Sequence, residues 1–264
     1  MPEKVRTTNK YEMATRWHSV SKITSAGKPV AKEAIALNHR ITIFTGHYGS
    51  GKTSIAAQYA RDLALAGTRV TICDLDIVNP YFRTADRRVE LEQAGIRVVA
   101  SRFSGGTIDL PSLPKELGAT LAEQDQRVIL DVGGDDRGAL ALGRYADSLR
   151  EIGDYENLFV VNFFRPRSQT PEDALALLYE VEAASGVKVT ALAHNSNLGA
   201  ATTAAHIRGA LERMETLSRL TGLPVAFTAA RRQLQGELAG SIVNPLWMDE
   251  DQQLKRWLGG RAIV

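Results

Sequence analysis

The 264-residue sequence predicts an α/β fold, a doubly wound and mostly parallel sheet carrying a short basic N-terminal extension. Three observations predict it. Short apolar runs, several rich in β-branched residues, recur between residues 41 and 228, and longer stretches of helical period separate them. Hydrophobic residues make up 44% and charged residues 23%, enough to bury a large core and too apolar for a disordered chain. Finally, Cys73 is the single cysteine, which excludes an internal disulfide or a CxxC metal scaffold.

The elements follow in order. Residues 1–38 form the expected extension, with one short helix around Pro29–Leu37. Residues 1–40 hold eight basic residues against three acidic, a net +5, while the rest of the chain sums to −3. Such an arm suits nucleic acid or an anionic membrane, or it is a solvated terminus. Trp17 and Tyr11 lie among its charges without an amphipathic helical period, which weakens the membrane reading. Residues 39–264 form the expected main domain. Its predicted strands are Ile41–Thr45, Val70–Cys73, Ile96–Ala100, Val128–Val132, Leu158–Phe163, Val187–Ala193 and Pro224–Thr228. Its clearest helices are Lys52–Ala66, Ala174–Ala184 and Thr202–Thr221, the last two stopped by Gly186 and Gly222. Pro171, Glu172 and Asp173 suit a helix start. Trp247–Leu258 reads as a last helix. No run of about 18 apolar residues is present, so no transmembrane helix is expected. Residues 1–21 lack the apolar core of a signal peptide, and a cytoplasmic location is the expectation.

Gly46-His47-Tyr48-Gly49-Ser50-Gly51-Lys52-Thr53 follows the first strand and opens the first helix. It fits GxxxxGK followed by Ser or Thr, the Walker A phosphate loop. Glycines let successive N–H groups turn towards phosphate oxygens. Lys52 brings a positive charge to the β- and γ-phosphates, and the Thr53 hydroxyl suits Mg²⁺. Ser54 is the next residue of this phosphate-binding set, on a helix whose positive end faces the same anion. Asp131 ends an apolar strand and is followed by Val132, Gly133 and Gly134. That is the Walker B arrangement, with Gly134 placed to offer an amide to the γ-phosphate. Asp74 and Asp76 end the second strand, where strand ends converge on a ligand crevice. One of them suits Mg²⁺ or a water, the other a cap.

With GHYGSGKT at 46–53, DLDIVNPYFR at 74–83, ILDVGGDD at 129–136 and LAHNSNLGAATT at 192–203, the sequence resembles the MinD/ParA-like P-loop ATPases, which include CobQ/CobB and dethiobiotin synthetase. The resemblance covers most of residues 40–230. It is narrowest to stand-alone bacterial ATP-binding proteins with the GHYGSGKT and DLDxVNPYFR phrases. By the resemblance, Asp76 is the switch I aspartate that orients water or bears on Mg²⁺, Asp131 is Walker B and Gly134 belongs to switch II. Asn195 reads the adenine edge; as a residue it is equally a loop-capping amide. The cofactors so implied are ATP or ADP with Mg²⁺. The family's switches carry a signature lysine after the first loop glycine, and here His47 stands there. A mostly neutral histidine supplies no permanent charge across a nucleotide-sandwich dimer. The absence of an Asn/Thr-Lys-x-Asp phrase favours ATP over GTP.

Other residues lie near these phrases or stand out by type. Arg83 follows Asp76, and Arg165 and Arg167 flank Pro166 at another strand end, where such a pair suits anions or a solvated loop. His194 closes a strand, and Cys73 lies within one, where thiols are inert. Three functions compete. One is a slow ATPase that regulates or assembles a protein partner, with or without a homodimer. The second is an ATP-dependent small-molecule kinase or ligase. The third is a nucleotide-sensing adaptor that uses residues 1–38.

Overall fold

The computed structural model describes residues 37–76, 84–100 and 112–249. Eight strands form one sheet: β1 (Ile41–Thr45), β2 (Val70–Leu75), β3 (Arg97–Ala100), β4 (Arg127–Val132), β5 (Tyr155–Val161), β6 (Ala191–His194), β7 (Val225–Arg231) and β8 (Pro245–Met248). Their order is β3-β2-β4-β1-β5-β6-β7-β8, and all the described pairings are parallel. The helices described are α1 (Lys52–Leu65), α2 (Arg88–Gln93), α3 (Ser112–Ala122), α4 (Asp136–Gly143), α5 (Ala146–Ile152), α6 (Pro171–Ser185), α7 (Ala204–Thr221) and α8 (Gln235–Leu238).

Buried parallel strands need apolar side chains on both faces, and β1 supplies them by alternation. Phe44 joins Ile55, Tyr59 and Leu63 of α1, with Ile72, Ile129 and Leu158, on one side. Ile41 and Ile43 join Val128, Leu130, Leu142 and Leu149 on the other. The Phe44 and Tyr59 rings meet edge to face at 6.1 Å. Helix α6 starts where the sequence predicts because Thr170 and Asp173 make a reciprocal capping box across Pro171. Helix α7 has the same device in Thr203 and His206, and both helices end on left-handed glycines, Gly186 and Gly222.

The chain steps outward from β1 in both directions, to β2 and later to β5. The loops after β1 and β4 therefore flank a topological switch point, where such sheets bind ligands. Registration places Phe44 beside Asp131, and Asp131 beside Asp74, at one end of the sheet.

Two expectations need correction. Trp247 is not in a helix: it lies in β8, paired in parallel with β7 through Ala230, and residues 250–264 lie outside the described set. The apolar run at 187–193 contains a strand only from Ala191, since Val187 and Val189 pack against the core as irregular chain. The helix expected at Pro29–Leu37 lies outside the described residues except for Leu37, which is buried in the core beside α1. Among the described residues, no helix is long and apolar enough to cross a membrane.

Candidate functional site

The loop between β1 and α1 is shaped by what surrounds it. Gly51 sits at φ +93°, a conformation side chains rarely adopt, and a Cβ there would lie 2.3 Å from Asn195 Nδ2. The chain then enters α1 at Lys52 without a side-chain cap, so the first amides of the helix stay available. The His47 carbonyl accepts both the Ser50 N–H, at 3.1 Å, and the Lys52 Nζ, at 3.2 Å. Lys52 is buried behind this turn. Burial lowers its ammonium pKa, while Asp131, then Asp76 and Asp135, pull it back up.

Asp131 is the counterpart. It is 1% exposed, and its Oδ2 accepts the Thr84 hydroxyl at 2.8 Å. Burial raises its carboxyl pKa, against the Lys52 charge and the nearby Thr53 and Thr84 hydroxyls. Its Oδ1 has no hydrogen-bond partner, and neither does the buried Ser50 hydroxyl. Unmet buried oxygens are costly in a finished core and ordinary in a ligand site. On this ground the residues fit a phosphate with a hard cation. Thr53 and Asp131, with Asp76 close by, would hold Mg²⁺, and Lys52 and the loop amides the phosphate oxygens. Bound there, Mg²⁺ would supply charge neutralisation to the phosphates.

Asp74 and Asp76 divide their tasks. Asp74 is buried in β2 and its carboxylate accepts the Asp76 N–H at 2.9 Å, which turns the chain. Asp76 is only half-buried, and its charge bears on Lys52 and Asp131. Gly134 touches the loop directly, its carbonyl accepting the Tyr48 N–H at 3.0 Å. A Cβ on Gly134 would lie 2.5 Å from Tyr48 N and 2.7 Å from Lys52 Nζ.

The remaining candidates fall around this centre. Tyr48 is exposed. His47 is half-buried, its Nδ1 3.0 Å from the Tyr48 carbonyl, and burial followed by the Arg167 charge lowers its pKa. Both effects favour the neutral ring. The Asn195 side chain donates from Nδ2 to the Ser50 carbonyl at 2.7 Å. Arg165 donates from Nε to the Gly49 carbonyl at 2.8 Å, while Arg167 pairs with Glu180 at 3.2 Å. The two arginines, read as an anion site or a solvated loop, thus have separate partners. A cavity of about 210 Å³ opens beside His47, Tyr48 and Gly134, and is also lined by Asp136, Arg167 and Glu180. His194 is fully buried at the end of β6, with both ring nitrogens unpartnered. Arg83 lies outside the described residues. Sequence reasoning missed Thr84, whose hydroxyl reaches Asp131 from 47 residues away.

A parallel sheet with a GKT loop at its switch point, a buried lysine and a strand-end aspartate defines a P-loop NTPase that binds nucleotide. The chain belongs to the CobQ/CobB/MinD/ParA nucleotide-binding domain family, whose model matches residues 41–213. No curated protein matches it by sequence. Among solved structures it is similar to the cell division protein FtsY of Thermotoga maritima, with 17% identity over 72% of this chain and 61% of that one, at a TM-score of 0.54. FtsY of Mycoplasma mycoides is similar too, with 16% identity over 72% and 59%, at a TM-score of 0.53. The chain spans about three fifths of these proteins' lengths, and the likeness shows the fold alone.

Proposed function

We propose that this protein binds Mg-ATP, hydrolyses it slowly, and uses the nucleotide state to regulate or assemble a protein partner. The Tyr48–Gly134 hydrogen bond carries this reading, because it joins the phosphate loop to the turn after β4. A γ-phosphate arriving between Lys52 and Gly134 would compete for the Tyr48 amide and move residues 133–138. Asp76 would align the attacking water, and Lys52 would take up charge on the departing phosphate. The loop after β6, rather than the Asn195 amide that holds the Ser50 carbonyl, would border the base. The exposed Tyr48 ring offers a partner, or a second copy of this chain, a surface next to that change.

Light scattering tests the reading: solution mass is measured with Mg-ATP, with Mg-ADP and without nucleotide, alone and with candidate partners, using Lys52→Ala as control. Mass that changes only with Mg-ATP, and only in the wild type, supports it. A mass that never responds to nucleotide overturns it.

A second reading, an ATP-dependent small-molecule kinase or ligase, is favoured by the cavity beside His47, Tyr48 and Gly134. It predicts negligible ATP turnover until an acceptor is added. A basal turnover that no acceptor alters would exclude it.

A further inference from the structure

The phosphate loop is gripped from outside by two side chains that come from different strand ends. Arg165, in the loop after β5, donates Nε to the Gly49 carbonyl at 2.8 Å. Asn195, directly after β6, donates Nδ2 to the Ser50 carbonyl at 2.7 Å. These are consecutive carbonyls. In a planar trans peptide the C=O and N–H point in opposite directions, so a carbonyl held from one side turns its amide to the other. The Gly49–Ser50 peptide is fixed at both ends, by Arg165 and by the bond from Ser50 N–H to the His47 carbonyl. The Ser50–Gly51 peptide is fixed at its carbonyl, which turns the Gly51 N–H away from Asn195.

Both grips stand on one frame. The Asn162 carbonyl accepts the Arg165 N–H at 3.1 Å and the Ser168 hydroxyl at 2.7 Å. The Asn162 side chain donates to the Asn197 carbonyl at 3.1 Å, and the Asn197 side chain donates to the Asn195 carbonyl at 2.9 Å. The frame is independent of the loop it holds, so removing one grip leaves it standing.

We propose that Arg165 and Asn195 are positioning residues of the phosphate site, holding the loop in the form that receives the nucleotide's phosphates. A loop already shaped for its ligand spends less of the binding energy on ordering itself. Arg165 adds positive charge at the same place. The inference rests on the nucleotide reading above, and its test separates the two.

Calorimetric titration with Mg-ADP and with Mg-GDP, together with the melting temperature of the ligand-free protein, is carried out on wild type, Arg165→Ala, Arg165→Lys and Asn195→Ala. Arg165→Ala is expected to weaken whichever nucleotide binds by about fivefold or more, the effect of one hydrogen bond. Its ligand-free melting temperature is expected to stay within about 2 °C, since Arg165 is only partly buried and its bond to Gly49 is exposed. Arg165→Lys, which keeps a charged donor, is expected to recover part of the affinity. Asn195→Ala is expected to lose at least as much as Arg165→Ala. Affinity within twofold of wild type in Arg165→Ala overturns this inference alone, whatever the melting temperature. So does an Arg165→Lys protein that melts like wild type yet recovers nothing. Wild-type protein that binds neither nucleotide overturns the nucleotide reading, and this inference with it.

Discussion

The Tyr48 N–H and the Gly134 carbonyl meet at 3.0 Å, and Gly134 has no room for a side chain: its Cβ would fall 2.6 Å from Tyr48 Cα. Gly134→Ala must therefore push the loop and the turn after β4 apart. Overpacking of this kind costs roughly 1–3 kcal/mol. The expected result is a folded protein with a lowered melting temperature and nucleotide binding weakened at least about tenfold. Calorimetry and a thermal melt on the same sample check both.

Asp131 should make nucleotide affinity depend on the cation. Its unpartnered Oδ1 lies in the buried site, and Asn in its place offers a weaker, neutral oxygen. Wild type is expected to bind ADP more tightly with Mg²⁺ than with EDTA, and Asp131→Asn to show little difference. Paired titrations with and without Mg²⁺ decide it.

His194 predicts an acid-sensitive fold. Burial, then the Arg213 charge, lowers its pKa to about 4 from 6.5. Because the folded state disfavours the proton, the stability that the neutral ring carries is complete above pH 6.5 and drains away as pH falls towards 4. Between pH 7 and pH 5 the loss is about 2 kcal/mol. Denaturant melts of wild type and His194→Phe at the two pH values measure it: the variant should lose less stability by about that amount.

Cys73 is expected to be silent. It is buried within β2, and burial pushes its thiol pKa well up. A disulfide reagent at pH 8 should modify nothing in the native protein within minutes and one thiol in guanidinium. Rapid modification of the native protein would show β2 opening.

Where one stretch of chain decides a structure, the sequence could be read. Strand β1 and the start of α1 fall at the residues expected, because an apolar run, a glycine-rich turn and a helical period follow one another without interruption. Strand β8 escaped because Pro-Leu-Trp-Met is short and only Leu246 of it is fully buried, so its pattern is too faint to set against a helix. Helices α4 and α5 were passed over as well, being 8 and 7 residues long. The site behaves the same way. Its loop and strand-end aspartates are local phrases. The contacts of Arg165 and Asn195 with the loop span 116 and 145 residues, and no spacing rule reaches that far.

The contact between α1 and the residue after β8 bears on the order in which the chain is made. Gln58, fully buried on α1, accepts the Asp249 N–H at 3.0 Å and donates to the Asp249 carboxylate at 3.2 Å, across 191 residues of chain. Helix α1 is made 191 residues before that partner and must wait for it. At roughly 5–20 residues per second the wait is about 10–40 s, during which the Gln58 amide has its helix neighbours Asp62 and Arg61, and water, but not its long-range partner. The helix that carries Lys52 and Thr53 is thus tied down only after β8, the strand at the edge of the sheet, has been made.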